Sequence, residues 1–124
     1  MKLTDKKREW INQKINYYCN LLKVKIPRII LTHSEYEKFK KELREKYNHI
    51  RVGRSNYLGV CHRAEKVIII RVKHLPNCKE LDYTIRHELL HYAKPSYNHY
   101  SKEFYDRLKR LKQGKLNQEG RFIK

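Results

Sequence analysis

Leu81-Asp82-Tyr83-Thr84-Ile85-Arg86-His87-Glu88-Leu89-Leu90-His91-Tyr92-Ala93 is the stretch on which the reading of this chain turns. Asn77-Cys78-Lys79-Glu80 just before it has the N-x-x-E form of a helix start. Leu81, Ile85 and Leu89 then recur at helical spacing, and Pro95 stops the run. The spacing predicts a helix up to Ala93 with one buried face. His87 and His91 stand four residues apart on it, one turn above each other on the same side, where two imidazoles can converge on one ion with Zn–N bonds of about 2.0–2.1 Å. Glu88 sits one step round. From there a carboxylate reaches water on such an ion without ligating it, which is the position of a general base. The apolar stripe runs beside the histidines, so both rings are expected to border the core.

Two histidines do not complete a zinc site, because catalytic zinc takes three protein ligands and keeps a position open. His99 is the expected third ligand, eight positions after His91 and beyond the break at Pro95. Glu103 is the rival, completing a His2Glu set, and Asp106 is a more distant one. His33, His49, His62 and His74 have no partner at ligand spacing and read as surface or turn histidines. The cofactor expected is Zn2+.

Outward from the motif, Ile11, Ile15, Tyr18 and Leu22 make an amphipathic helix of Asp5 to Leu22. Pro27 leads into a short β-branched run, Arg28 to Thr32, that reads as a strand. Ser34-Glu35-Tyr36-Glu37 has the form of a capping box, and Tyr36, Phe39, Leu43 and Tyr47 carry a second helix to about Tyr47. Gly53 and Ser55-Asn56 mark a turn. Tyr57 to His62 and Val67 to Val72 follow as strands joined by Arg63-Ala64-Glu65-Lys66. A last helix begins near Ser101, turns Phe104, Leu108 and Leu111 inward and fades at Gly114. The expected fold is α+β: a small, mostly antiparallel sheet with an N-terminal helix, the motif helix and a C-terminal helix. The expected domain spans 1–113, with a basic, flexible tail over 114–124.

Thirty Lys and Arg against 13 Asp and Glu give a formal charge of +17 over 124 residues. That excess attracts polyanions, with non-specific nucleic acid such as DNA the first candidate and an anionic membrane surface the second. Cys19, Cys61 and Cys78 are odd in number and widely spaced, so they encode neither a disulfide framework nor a zinc ribbon and read as buried thiols. The longest apolar run, Val67 to Ile70, is too short to span a bilayer, and the opening MKLTDKKREW carries charges with no apolar core region behind them, so no secretory leader is expected. No membrane partner is expected, and the location expected is intracellular, cytoplasmic or nucleoid-associated.

The stretch from Tyr57 to Leu111 resembles the compact core shared by the SprT-like, WLM and YgjP-like zinc metallopeptidases. The elements that carry the resemblance are Leu58-Gly59-Val60-Cys61-His62, Val67-Ile68-Ile69-Ile70, His87 to His91, and His99-Tyr100-Ser101-Lys102-Glu103-Phe104. The resemblance implies a zincin-like minimal core with His87, His91 and His99 as ligands, Glu88 as catalytic acid/base and Phe104 as a packing residue. It also implies hydrolysis of peptide bonds in a protein or peptide substrate. Joined to the charge, it suggests a protease acting on proteins associated with nucleic acid. The alternative is a basic nucleic-acid-binding protein whose zinc is structural or vestigial. For a peptidase, an extended substrate is expected to add to an exposed edge at the Val67-to-Val72 strand. Tyr97, Tyr100 or Arg86 are the candidates for oxyanion stabilisation.

Overall fold

The structure, a computed structural model, describes residues 1–46, 59–62, 65–93 and 102–114. Helix α1 (Asp5–Leu22) starts at Thr4, whose hydroxyl accepts from the Lys7 amide, and ends at Lys23 in the left-handed region with φ 54°. Its apolar stripe buries Ile11, Ile15, Tyr18, Cys19 and Leu22. Strand β1 (Arg28–Ile30) follows, and helix α2 (His33–Lys46) buries Phe39 and Leu43. The cap of α2 lies two residues before the expected frame. Thr32 Oγ1 accepts from the Glu35 amide at 3.2 Å and donates to the Glu35 carboxylate at 2.9 Å. Two overlapping S/T-x-x-E strings compete here, and the one that also lets Glu35 meet Arg8, 2.8 Å away, prevails.

Strands β2 (Gly59–His62) and β3 (Val67–Ile70) form the hairpin. β3 pairs antiparallel with β2, Gly59 opposite Ile70, and parallel with β1, Arg28 opposite Val67, so the sheet order is β1-β3-β2. The sheet is therefore mixed, not mostly antiparallel, and β3 is its central strand, not an edge. The physical reason lies in β3 itself. All four of its residues are buried, and a strand covered on both faces takes a partner on each side, as continuous apolar runs do in parallel sheets. The chain reaches β3 from β1 through α2, a connection long enough to return parallel.

Side chains of β3 alternate between two layers. Val67 and Ile69 pack with Ile30, Phe39 and Leu43 under α2. Ile68 and Ile70 pack with Ile11, Ile15, Leu22, Leu81, Ile85, Leu89, Phe104 and Leu108, under α1, α3 (Cys78–Ala93) and α4 (Lys102–Lys112). The expected strand end at Val72 is instead a single 3-10 turn, Val72–His74, which buries Val72 completely. Of the cysteines only Cys19 is buried, while Cys61 is half-buried and Cys78 is exposed in the first turn of α3. Among the described residues no helix is long and apolar enough to cross a membrane. The readings at His49, Gly53, Ser55, Asn56, Tyr57 and 115–124 fall outside the described residues.

Candidate functional site

α3 forms where its cap and stripe require. Asn77 Oδ1 accepts from the Glu80 amide at 2.9 Å, and Leu81, Ile85 and Leu89 are essentially inaccessible. With that stripe fixed on the sheet, the flanks of the helix carry two polar clusters.

The first is the motif. The rings of His87 and His91 lie 4.8 Å apart, edge to face, on one side of α3. Phe104 of α4, itself buried, stacks on His91 at 4.8 Å and meets His87 edge-on at 5.0 Å. Both imidazoles are half-buried, and one turn earlier Tyr83 lies 6.0 Å from His87. Glu88, one step round the helix, lies against β2 and is only 7% exposed. Its Oε1 is 4.0 Å from His87 Nε2, and burial pushes its carboxyl up to about 7.

Gly59 closes that side. A methyl group there would stand 2.8 Å from Thr84 Cγ2 and 3.0 Å from Glu88 Cγ, so the backbone of β2 lies directly against the helix. Gly59 has no role that its place in the Leu58-to-His62 run alone would assign. A glycine within a strand pattern was the available signal of close backbone approach.

The set of atoms suits a zinc ion in part. Two imidazole nitrogen donors a turn apart and a buried carboxyl group beside them match two ligands and a general base. Among the described residues, however, no group of three His, Cys, Asp or Glu converges. Glu103 is 65% exposed and held by Arg107, four residues on, and Asp106 is exposed, so neither carboxylate joins the histidines. His99, the expected third ligand, lies outside the described residues, as do Tyr97 and Tyr100. The other described histidines stay apart: His33 is exposed, His62 packs on Phe39 at the end of β2, and His74 sits beside Arg71. Burial lowers the pKa of His62.

The second cluster was not foreseen. Asp82 accepts from the Tyr18 hydroxyl at 2.6 Å and from Arg86 Nε at 2.9 Å, and Arg86 Nη1 donates to the Leu108 carbonyl at 2.7 Å. α1, α3 and α4 are thereby tied by one buried network. Burial, then the Asp82 bond and charge, drive the Tyr18 hydroxyl far above its ordinary pKa. Arg86, proposed from sequence for oxyanion stabilisation, is 5% exposed and committed to this network instead. Its signal was the i, i+4 acid–base spacing, which reads equally well as a surface pair. No protein-family model matches the chain, and neither a curated protein nor a solved structure does.

Proposed function

We propose that this chain is a zinc-dependent metallopeptidase of the SprT-like, WLM and YgjP-like kind. One observation carries the reading: His87 and His91 share a face of α3 with ring centroids 4.8 Å apart, while Glu88, beside them, is buried against Gly59. His87 and His91 would hold the ion, and His99 would complete the set. Zinc, when bound, supplies Lewis-acid polarisation of a carbonyl and acidifies water.

The chain's own groups do the rest. Phe104 fixes the planes of both imidazoles, because it stacks on one and abuts the edge of the other. Glu88 takes a proton from the attacking water on its carboxylate and returns it to the leaving amine. A desolvated carboxyl titrating near neutrality is suited to both halves of that exchange. With β3 central, the strand open to an extended peptide is β2, the outer strand on the α3 side among the described residues. A peptide added there through backbone hydrogen bonds would pass Glu88 at Gly59, and recognition through the main chain leaves side-chain specificity loose.

The test is cleavage of an unstructured protein such as casein by the zinc-loaded chain and by Glu88→Gln, with bound zinc measured in both. Glu88→Gln is expected to lose about 10²–10⁴-fold in kcat while keeping its zinc, and His91→Ala to lose the zinc. Equal rates in wild type and Glu88→Gln would overturn the reading.

A further inference from the structure

We infer that Arg86 is a positioning residue for the two-histidine face: by holding α4 in register against α3 it keeps Phe104 on the imidazoles and so sets how tightly His87 and His91 grip a metal ion. Only the zinc-binding half of the proposed function is needed for this, not hydrolysis. Arg86 is the one basic side chain that is buried among the described residues. A guanidinium taken out of water is costly unless it is paired and hydrogen-bonded. Nε donates to Asp82 at 2.9 Å on its own helix, and Nη1 crosses to α4, where the Leu108 carbonyl accepts at 2.7 Å. The fork therefore has one prong on each helix. Tyr18 steadies the α3 prong by donating to the same carboxylate at 2.6 Å.

The bond to α4 adds what packing supplies weakly. Phe104, Leu108 and Leu111 bury the inner face of α4, and apolar burial is non-directional, so it holds a helix down more firmly than it fixes rotation or axial shift. A charged hydrogen bond to a main-chain oxygen is directional and restrains both. Leu108 lies one turn after Phe104 on the same helix, ~6 Å along the axis, so what fixes its carbonyl fixes the Phe104 ring as well. That ring stacks on His91 at an interplanar angle of 23° and meets His87 edge-on at 77°. The imidazoles have to aim their nitrogens at one ion, and a ligand set works when it is held within about 0.5 Å and about 10–20° of its geometry.

Arg86 reaches the same face a second way, through Tyr83: the guanidinium lies 5.6 Å from that ring, which is 6.0 Å from His87. The α4 route is the stronger of the two. Phe104 lies against both imidazoles at 4.8 and 5.0 Å, and the bond behind it is short and charged. The buried cluster of Tyr18, Asp82 and Arg86 thus reaches the metal-binding rings without touching the ion, through the helix that covers them.

The experiment is zinc affinity by chelator competition, without substrate, in the full chain as wild type, Arg86→Lys, Phe104→Leu, the double variant and Tyr18→Phe, each shown to be folded by circular dichroism. Lysine keeps the charge but has no fork, so it can meet Asp82 or the Leu108 carbonyl and not both. Arg86→Lys is expected to weaken zinc binding by about 10-fold, the lower end of what the loss of a residue supporting metal ligands costs. Phe104→Leu should weaken it at least as much, and the double variant no further than Phe104→Leu alone, because residues acting through one another are not additive. Tyr18→Phe cuts the same network on the α1 side and leaves the α4 bond in place, so it should lower stability and leave zinc affinity unchanged. With Co2+ in place of zinc, Arg86→Lys should shift the visible absorption that reports ligand geometry, and Tyr18→Phe should not. Wild-type affinity in Arg86→Lys, or equal losses in Arg86→Lys and Tyr18→Phe, would overturn the inference, and additive losses in the double variant would overturn the route through Phe104. A wild type that binds no zinc would instead overturn the metal centre itself. Should Arg86→Lys not fold, Arg86→Met decides: it removes the α4 bond and leaves Asp82 facing Tyr18 and Lys14, the latter 4.0 Å away. A loss of at least about 10-fold is then expected, and none would overturn the proposal.

Discussion

Asp82 and Glu88 are both buried carboxylates on α3, and the fold treats them in opposite ways. Asp82 receives Tyr18 and Arg86, and Arg86 in turn donates to the Leu108 carbonyl, so each strong donor and acceptor in that cluster is matched. Glu88 lies beside Thr84 against the bare backbone of Gly59, with the half-buried His87 imidazole 4.0 Å away as its titratable neighbour among the described residues. A closed buried network holds helices together, whereas a desolvated acid that meets no Lys or Arg among the described residues weakens the fold that contains it. One helix thus carries a closed structural flank and the flank proposed to be reactive.

The comparison breaks most easily at Asp82. Asp82→Ala leaves the Arg86 guanidinium, 5% exposed, without its carboxylate, and deprives the Tyr18 hydroxyl of its acceptor. Removing one member of a buried charged pair costs about 3–5 kcal/mol. Urea unfolding should show a loss of that size with an unchanged slope. A loss below about 1 kcal/mol would mean that water reaches Arg86 and that the cluster is not closed.

Glu88→Gln should act with the opposite sign. In chelator at pH 8 the wild-type carboxylate is ionised and desolvated, whereas glutamine brings no charge into the same volume. The expected gain is about 1–2 kcal/mol, reduced from the full charge penalty because a buried amide also has to be desolvated. Urea unfolding of the two zinc-free proteins measures it. A loss instead of a gain would show that Glu88 is partnered as Asp82 is. Adding zinc should then raise the stability of both proteins, since binding to the folded state alone stabilises it by mass action.

Much of this architecture was legible because the helices of this chain write themselves in apolar residues. Ile11, Ile15 and Leu22, then Leu81, Ile85 and Leu89, then Phe104, Leu108 and Leu111 repeat at the helical period, and all of them are buried. The α3 cap at Asn77 was equally plain. The sheet was less so. Pairing of β1 with β3 joins residues almost forty positions apart, which no local periodicity encodes, although the unbroken run Val67-Ile68-Ile69-Ile70 was itself the mark of a strand covered on both faces. His87, Glu88 and His91 were legible as a string, and their shared face follows from helix geometry. Tyr18, Asp82 and Arg86 were not. Each has an innocuous local reading, as a stripe aromatic and an exposed i, i+4 pair, and only the packing of three helices shows that they meet.

Glu35 supplies the intermediate case. It is paired as Asp82 is, with Arg8 at 2.8 Å and the Thr32 hydroxyl at 2.9 Å, but about a third of its side chain is open to solvent. Partial burial pushes its pKa up, yet the bonds from Arg8 and Thr32 and the charge of Arg8 outweigh that, and the carboxyl ends below its ordinary value of 4.5. A depressed carboxylate stabilises the fold above the unfolded pKa and loses that contribution as pH falls through the folded one. Exposure and salt hold the gain to about 0.2–1 kcal/mol. Glu35→Gln should therefore be slightly less stable than wild type at pH 7 and low ionic strength, and the gap should close as the pH falls below the carboxylate range. A gap unchanged by acid would mean that Glu35 acts through its Thr32 capping bond, which glutamine can imitate only in part, and not through its charge. Burial then sets the size of what a carboxylate contributes and pairing sets its sign: Asp82 and Glu88 are almost equally buried and act in opposite directions, whereas the paired but more open Glu35 contributes little.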